Sequence, residues 1–377
     1  MPDSALDRTL IDATSNTRVL EWSETGPNDS WRLVKTVLHG GRQEGVDLLT
    51  VDNGALRFRI CATRGMGLWD GQAGDIRLGW DSPVEEIVHP QFVDLGARGG
   101  LGSNGAPGTD RVRTNTGEMQ PVQLTLHGKE AYLPARHLRV IVESGERPNL
   151  RVLGTVDETQ VFGTQLRLTT EISTRVGSLT LTIRDRIQNL AATPQEFQLI
   201  YHTNFGSPLL EDGSSFHAPL ARLTPRDAVA AATVGTWNQY GRPTVGFREE
   251  VFFAEPLAGE DGATEALLHN RAADRGIAMR FAVDQLPYLT LWKNTQAIED
   301  GYVTGIQPGT NYPNTRNFER GNGRVPQLEP GEIYESTIKL KVLPTADEVE
   351  DSLERIHDLQ GRDAPQIDRQ PARDVSP

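Results

Sequence analysis

Residues 56–61 read LRFRIC, and this short run decides the fold class. Leu56, Phe58 and Ile60 alternate with Arg57, Arg59 and Cys61. Successive side chains of a strand point to opposite faces, so a period of two marks a strand with one apolar and one polar side. The same beat returns at Leu166, Leu168, Thr170 and Ile172, at Leu179, Leu181 and Ile183, at Met279, Phe281 and Val283, and at Ile338, Leu340 and Val342. Between these runs 37 glycines and 23 prolines supply turn punctuation. A chain patterned this way is all-β, a large antiparallel sandwich or barrel.

Helical periodicity is confined to TADEVEDSLERIHDLQG, residues 345–361. Thr345 and Glu348 form a capping box, Val349, Leu353 and Ile356 share one face, and Gly361 is a stop signal. The spacing predicts a packing helix over 346–361. The stretch that follows, RDAPQIDRQPARDVSP, offers few apolar residues to bury, so 362–377 reads as a mobile tail. Residues 1–30 read as an N-terminal extension whose first dozen are loose. No heptad, solenoid repeat or linker divides 31–345, which reads as one continuous β domain. The long connections at 84–120 and 205–225 exceed ordinary loop lengths and read as site-building segments.

Charge and cysteine content exclude several classes of function. Asp plus Glu is 51 against 38 Lys plus Arg, a net charge of -13 with the basic residues scattered, which speaks against nucleic acid and anionic membrane as partners. Cys61 is the single cysteine and cannot close an intramolecular disulfide, and the opening MPDSALDRTLID lacks a signal-peptide pattern. A reduced, cytoplasmic protein is the expectation. No apolar run reaches the length of a membrane span.

Cofactor signatures fail as well. The glycine-rich GARGGLGSNGAPG, residues 96–108, precedes no helix and carries no Lys-Ser/Thr pair, so it is not a phosphate loop. There is no HExxH or CxxC, and no metal or cofactor is expected. Histidine is more informative. His127 in QLTLHGKEAYLPAR and His202 in FQLIYHTNFGSPLLEDG each end an apolar run, and each precedes loop-forming residues. GIQPGTNYPN, residues 305–314, reads as a shaped loop or strand end headed by Gln307. Imidazole, amide and guanidinium groups pair with sugar hydroxyls while an aromatic ring covers the C–H face of a pyranose. Trp292 and Lys293 in PYLTLWKNTQ and Arg64 and Trp69 in CATRGMGLWDG supply such groups, although core packing explains either tryptophan equally well.

The ordered pieces TRGMGLWD, LGWDSPVE, SNGAPG, LHGKEAYLPA, YHTNFGSPLL, LWKN and GIQPGTNYPN span residues 63–314. With them the chain resembles the galactose-mutarotase-like superfamily, its aldose 1-epimerase group and, within that, the DUF4432 (YphB-like) branch. The resemblance implies a β-supersandwich with a sugar cleft, a small-molecule sugar as partner, and anomer interconversion through ring opening. By motif position His202 matches the general-acid histidine and His127 the second histidine of the cleft. Arg64, Asn104, Asn204, Trp292, Lys293 and Asn311 are the implied substrate contacts. His39 in LHGG precedes the strand that comes before the histidine motif, so it is assigned to a hairpin.

The chain departs from that family pattern at two places. Gln307 stands where the resemblance implies a glutamate base, and a neutral amide accepts no proton at ordinary pH. The segment between GGLG and SNGAPG is also shorter than the resemblance implies. Glu299 with Asp300 and Glu211 with Asp212 are the substitute carboxylates within reach along the chain. Three readings follow: an epimerase-like enzyme, a carbohydrate binder without catalysis, and a sugar lyase or hydrolase on the same scaffold.

Overall fold

The computed structural model describes residues 4–93, 108–113, 119–124, 127–161 and 163–377. The chain is antiparallel β almost throughout, and it divides into two compact units, each built from several separate stretches. The chain crosses between them after Gly71, Glu85, Phe197, Asn314 and Glu335. Because the units interleave along the sequence, no linker composition could have marked them.

The first unit comprises Met1–Gly71, Glu86–Phe197 and Thr315–Glu335. LRFRIC lies in it as the strand Arg57–Cys61, with Leu56, Phe58 and Ile60 buried as the alternation predicts. It pairs with Asp47–Asp52, which pairs with Arg32–Val37 and then Trp22–Thr25 in a meander. A second meander runs through His137–Glu143, Asn149–Thr159, Gln165–Arg175 and Thr180–Asn189. Ser4–Asp12 adds itself to this sheet along His137–Glu143. The N-terminal stretch expected to be loose is therefore a paired strand, with Leu10 fully buried and the Arg139 guanidinium bonded to Asp7. Propensity underrates it because its ladder is made with a strand more than a hundred residues away.

The second unit comprises Gln72–Glu85, Gln198–Asn314 and Ser336–Pro377. One of its sheets has the strand order Thr203–Phe205, Tyr302–Gly309, Tyr288–Thr295, Glu250–Pro256, Leu220–Pro225, Gln366–Ile367. In another, Ser215–His217, Ala263–His269, Gly276–Ala282 and Ile333–Leu343 pair in succession. The first half of GIQPGTNYPN is not a loop but the end of the Tyr302–Gly309 strand, and every residue from Tyr302 to Tyr312 is buried. Pro308, which has no N–H to give, sits one residue from that strand's end, and its carbonyl accepts from the Tyr201 N–H at 2.9 Å.

The helix forms as read, over Ala346–Gln360. Thr345 accepts from the Glu348 N–H at 3.3 Å, and Gly361 ends the helix with φ of 66°. Val349 and Ile356 are buried against Leu267, Ala278 and Leu343, with Leu353 packed alongside. Among the described residues no helix is long and apolar enough to cross a membrane. Ile356→Ala empties part of that contact and is expected to lower stability by about 2–5 kcal/mol, read as a drop in the urea midpoint at unchanged slope.

Candidate functional site

Directly opposed residues of an antiparallel pair share a face, so the register of the second unit's sheet sorts its side chains. Trp292 is opposite Gly305, Thr290 opposite Gln307, and Asn204 opposite Gly305. These residues form one face, together with Val251 opposite Trp292 and Phe253 opposite Thr290. His202 lies just outside the Thr203–Phe205 strand and joins them. Its Nε2 is 3.1 Å from Gln307 Nε2, and its ring meets Trp292 edge-on with centroids 5.8 Å apart.

The imidazole is exposed while the amide beneath it is only 4% exposed. An amide NH2 can only donate, so as placed Gln307 gives a hydrogen to His202 Nε2. Gly305 makes room for this contact. A Cβ at that position would lie 2.7 Å from Gln307 Nε2, 3.3 Å from Asn204 Oδ1 and 3.3 Å from the Trp292 ring. Trp292 Nε1 donates to Glu249 Oε2 at 2.8 Å, and Glu249 Oε1 accepts from Arg226 Nη2 at 2.9 Å. Glu249 is thus the carboxylate tied to this face, and the sequence reading missed it. The side-chain oxygens of Asn204 and Asn294 are shielded and receive no hydrogen bond among the described residues.

Lys293 does not belong with these residues. One position along from Trp292, it points to the opposite face, where it is opposite both Glu250 and Thr304. Its Nζ is 3.0 Å from Glu250 Oε2, with both side chains buried, and lies over the Tyr240 and Phe252 rings at 5.4 and 5.8 Å. Desolvation lowers the lysine's pKa from its ordinary value, and Glu250 opposes that shift. Lys293 and Glu250 also line a cavity of about 240 Å³ with Thr233, Gln239, Arg242 and Thr295. That cavity therefore opens on the side away from His202.

The remaining candidates separate in the same way. Asn311 is buried and spends its amide on its own loop, donating to Tyr312 O at 2.5 Å and accepting from Thr310 Oγ1 at 3.1 Å. Glu299 and Asp300 are exposed on a turn, and Glu211 is exposed and accepts from the Arg271 N–H at 3.1 Å. LGWDSPVE belongs to the same unit as His202, since the Gly206 N–H donates to Gly79 O at 2.8 Å and Trp80 packs against Gly206 and Gly301.

In the first unit, Arg64 donates to the carbonyls of Ala131 and Val88, both at 3.2 Å, and its guanidinium covers the Tyr132 ring at 5.1 Å. His127 is partly buried, and desolvation lowers its pKa. Three residues on, the Glu130 carboxyl is pressed onto Gly65, where a Cβ would lie 2.2 Å from Oε1. Burial, and then the charges of Asp185 and Glu158, raise Glu130 to about 8. Trp69 packs on Val46, Leu48, Cys61 and Ile87, which is the core reading. Burial pushes the Cys61 thiol up to about 11, so it is no nucleophile near neutrality. His39 is exposed beside Glu44, as a hairpin residue should be. Asn104 and residues 96–107 of the glycine-rich segment lie outside the described residues. Among the described residues no group of three or more His, Cys, Asp or Glu side chains is arranged to hold a metal ion.

Residues 43–342 match the family described as Domain of unknown function (DUF4432). The chain belongs to the DUF4432 family. A crystal structure from Klebsiella pneumoniae subsp. pneumoniae, described as a "putative aldose 1-epimerase", is 34% identical and superposes with a TM-score of 0.89 over 97% of this chain and 98% of that one. More distant structures share the fold alone. A galactose mutarotase-like protein from Clostridium acetobutylicum is 12% identical with a TM-score of 0.55, over 85% of this chain and 98% of that one. A galactose 1-epimerase from Lactobacillus acidophilus NCFM is 14% identical with a TM-score of 0.52, over 83% and 98%. The family therefore has the galactose mutarotase-like β-supersandwich fold. Among curated proteins no significant match is found.

Two measurements test this geometry. Gly305→Ala is expected to displace the Gln307 amide from His202 and to cost about 1–3 kcal/mol by overpacking, read by urea unfolding and by a moved His202 ring resonance. For Glu130 the folded carboxyl titrates near 8 against an ordinary 4.5, so the folded state holds a proton that the unfolded state has released. Stability from this group is present below 4.5 and is lost as pH rises through the interval up to about 8. Glu130→Gln is expected to flatten that decline, seen as a smaller fall in urea midpoint from acid to alkaline buffer than the unaltered chain shows.

Proposed function

We propose that this chain binds a monosaccharide or closely related sugar on the sheet face that carries His202, Asn204, Gln307 and Trp292, and exchanges its anomers there with His202 as the proton donor. The observation that carries this reading is the His202–Gln307 contact, an exposed imidazole fixed over a buried amide and edged by a tryptophan. Trp292 offers an apolar surface to a pyranose ring, and the amides of Asn204 and Gln307 offer pairing to its hydroxyls. Whole-length similarity to the Klebsiella chain supports the same class of ligand. Lys293 and Asn311, turned away from that face or spent within their own loop, leave the proposed sugar-contact set.

Ring opening needs a proton delivered to the ring oxygen and another removed from the anomeric hydroxyl. His202 serves the first step. Gln307 cannot serve the second, so the proposed exchange relies on water as the base and is slow. Isothermal titration against a monosaccharide panel, with anomer exchange followed by NMR, is expected to show binding and weak acceleration that His202→Ala removes. Gln307→Glu is expected to raise the exchange rate by about 10²- to 10⁴-fold, the usual worth of a general base.

The same contact favours one second reading, a sugar binder without turnover. Occupation of Nε2 by the Gln307 amide removes one of the two imidazole nitrogens from proton transfer. Binding with no acceleration in either the unaltered chain or Gln307→Glu would select it.

A further inference from the structure

The stretch after the C-terminal helix, expected to be mobile, is docked on the second unit at residues 366–368 and again at 372–376. Gln366–Ile367 pairs in parallel with the Leu220–Pro225 strand, through Arg222 with Gln366 and Leu223 with Ile367. The Asp368 N–H continues the ladder to Leu223 O at 2.9 Å. Arg222 then clasps the segment twice, donating from Nε to Asp368 Oδ2 and from Nη1 to Asp374 Oδ2, both at 2.8 Å. Thr224 Oγ1 adds a third bond to Asp368 at 2.7 Å.

A tight turn follows, with the N–H groups of Val375 and Ser376 both donating to Ala372 O, at 3.0 and 2.8 Å. Asn314, the last residue of GIQPGTNYPN, donates from Nδ2 to Val375 O at 2.9 Å. This turn places the Val375 side chain, 2% exposed, in a cluster with Val251, Phe253 and Tyr312. Tyr288, Trp292 and Ala372 pack against that cluster. Val251 and Phe253 lie on the face shared by Trp292 and Gln307, so Val375 caps the face of the candidate site and not its reverse. Composition hides all this because the segment is held by an arginine fork and one buried valine, which a count of apolar residues does not register.

Trp292 joins the segment to the site. Its side chain packs against the cluster that holds Val375, its Nε1 is bonded to Glu249, and its ring meets His202. A side chain fixed on those sides cannot shift without moving the imidazole or losing the carboxylate. We propose that the C-terminal segment 366–376 is a working part of the candidate sugar site, with Val375 as the positioning residue that seats Trp292 against His202. The involvement of a sugar rests on the function proposed above; the seating of Trp292 does not.

The test uses the full-length chain labelled with 15N-tryptophan, the Trp292 indole N–H resonance being identified by its loss in Trp292→Phe. Val375→Ala is expected to shift that resonance and to weaken monosaccharide binding in titration roughly tenfold, the effect of about one lost apolar contact. Anomer exchange at saturating sugar should change far less than the affinity. Val375→Ile is expected to restore both the resonance and the affinity. A Trp292 resonance that stays in place in Val375→Ala overturns the proposal, and so does a moved resonance with unchanged affinity. An unaltered chain that binds no sugar of the panel overturns the assignment of the segment to a sugar site. That outcome is told apart from a failure of the seating by the indole resonance, which still moves.

Discussion

The ion pair between Lys293 and Glu250 fixes how the two strands that carry Val251 and Trp292 face each other. Both groups are buried, and a buried charge without its partner costs several kcal/mol. Side chains on a strand alternate strictly, so a slip of one residue between Glu250–Pro256 and Tyr288–Thr295 would part the pair and turn each charge into a core position without a counterion. The pair therefore acts as a register lock. With register locked, Trp292 and Gln307 have no choice of face, and the candidate site exists because the charges on the reverse side do.

The same alternation explains two sequence doublets. Glu249 and Glu250 are adjacent, as are Trp292 and Lys293, and each doublet splits across the sheet. Glu249 meets the Trp292 indole on one side while Glu250 meets Lys293 on the other. Reading Trp292 and Lys293 as joint lining of one cleft treated neighbours in sequence as neighbours in space. In a strand they are the two residues least able to share a ligand.

Legibility in the sequence follows from how many faces of an element are buried. Arg57–Cys61 and Gln165–Arg175 bury one side, so their apolar residues recur at every second position and the class of fold could be read from them. The helix was equally legible because capping and stop signals are local. Tyr302–Gly309 is buried on both sides, which erases the alternation, and its glycines and proline imitate a turn. The partnership of His202 and Gln307 could be expected only from the family resemblance, since nothing local links residues 105 positions apart. Glu249 and Arg226 left no signal, because an exposed-looking charge in a polar segment gives no hint of the indole it will meet. The docked C-terminal segment was misread for the corresponding reason: its partners are single residues scattered over the strand Leu220–Pro225 and the loop at Asn314.

The Arg222 fork has a consequence for the solution conditions in which the protein works. Asp368 is largely shielded, but the Asp374 side chain is 60% exposed, so one of the two clasps holding the C-terminal segment sits within reach of dissolved ions. Salt weakens attraction at such an exposed position, while the contact at the shielded Asp368 is screened much less. Salt therefore loosens the turn that carries Val375 before it loosens the parallel ladder behind it. The seating of Trp292 proposed above would by this route follow the ionic strength of the medium.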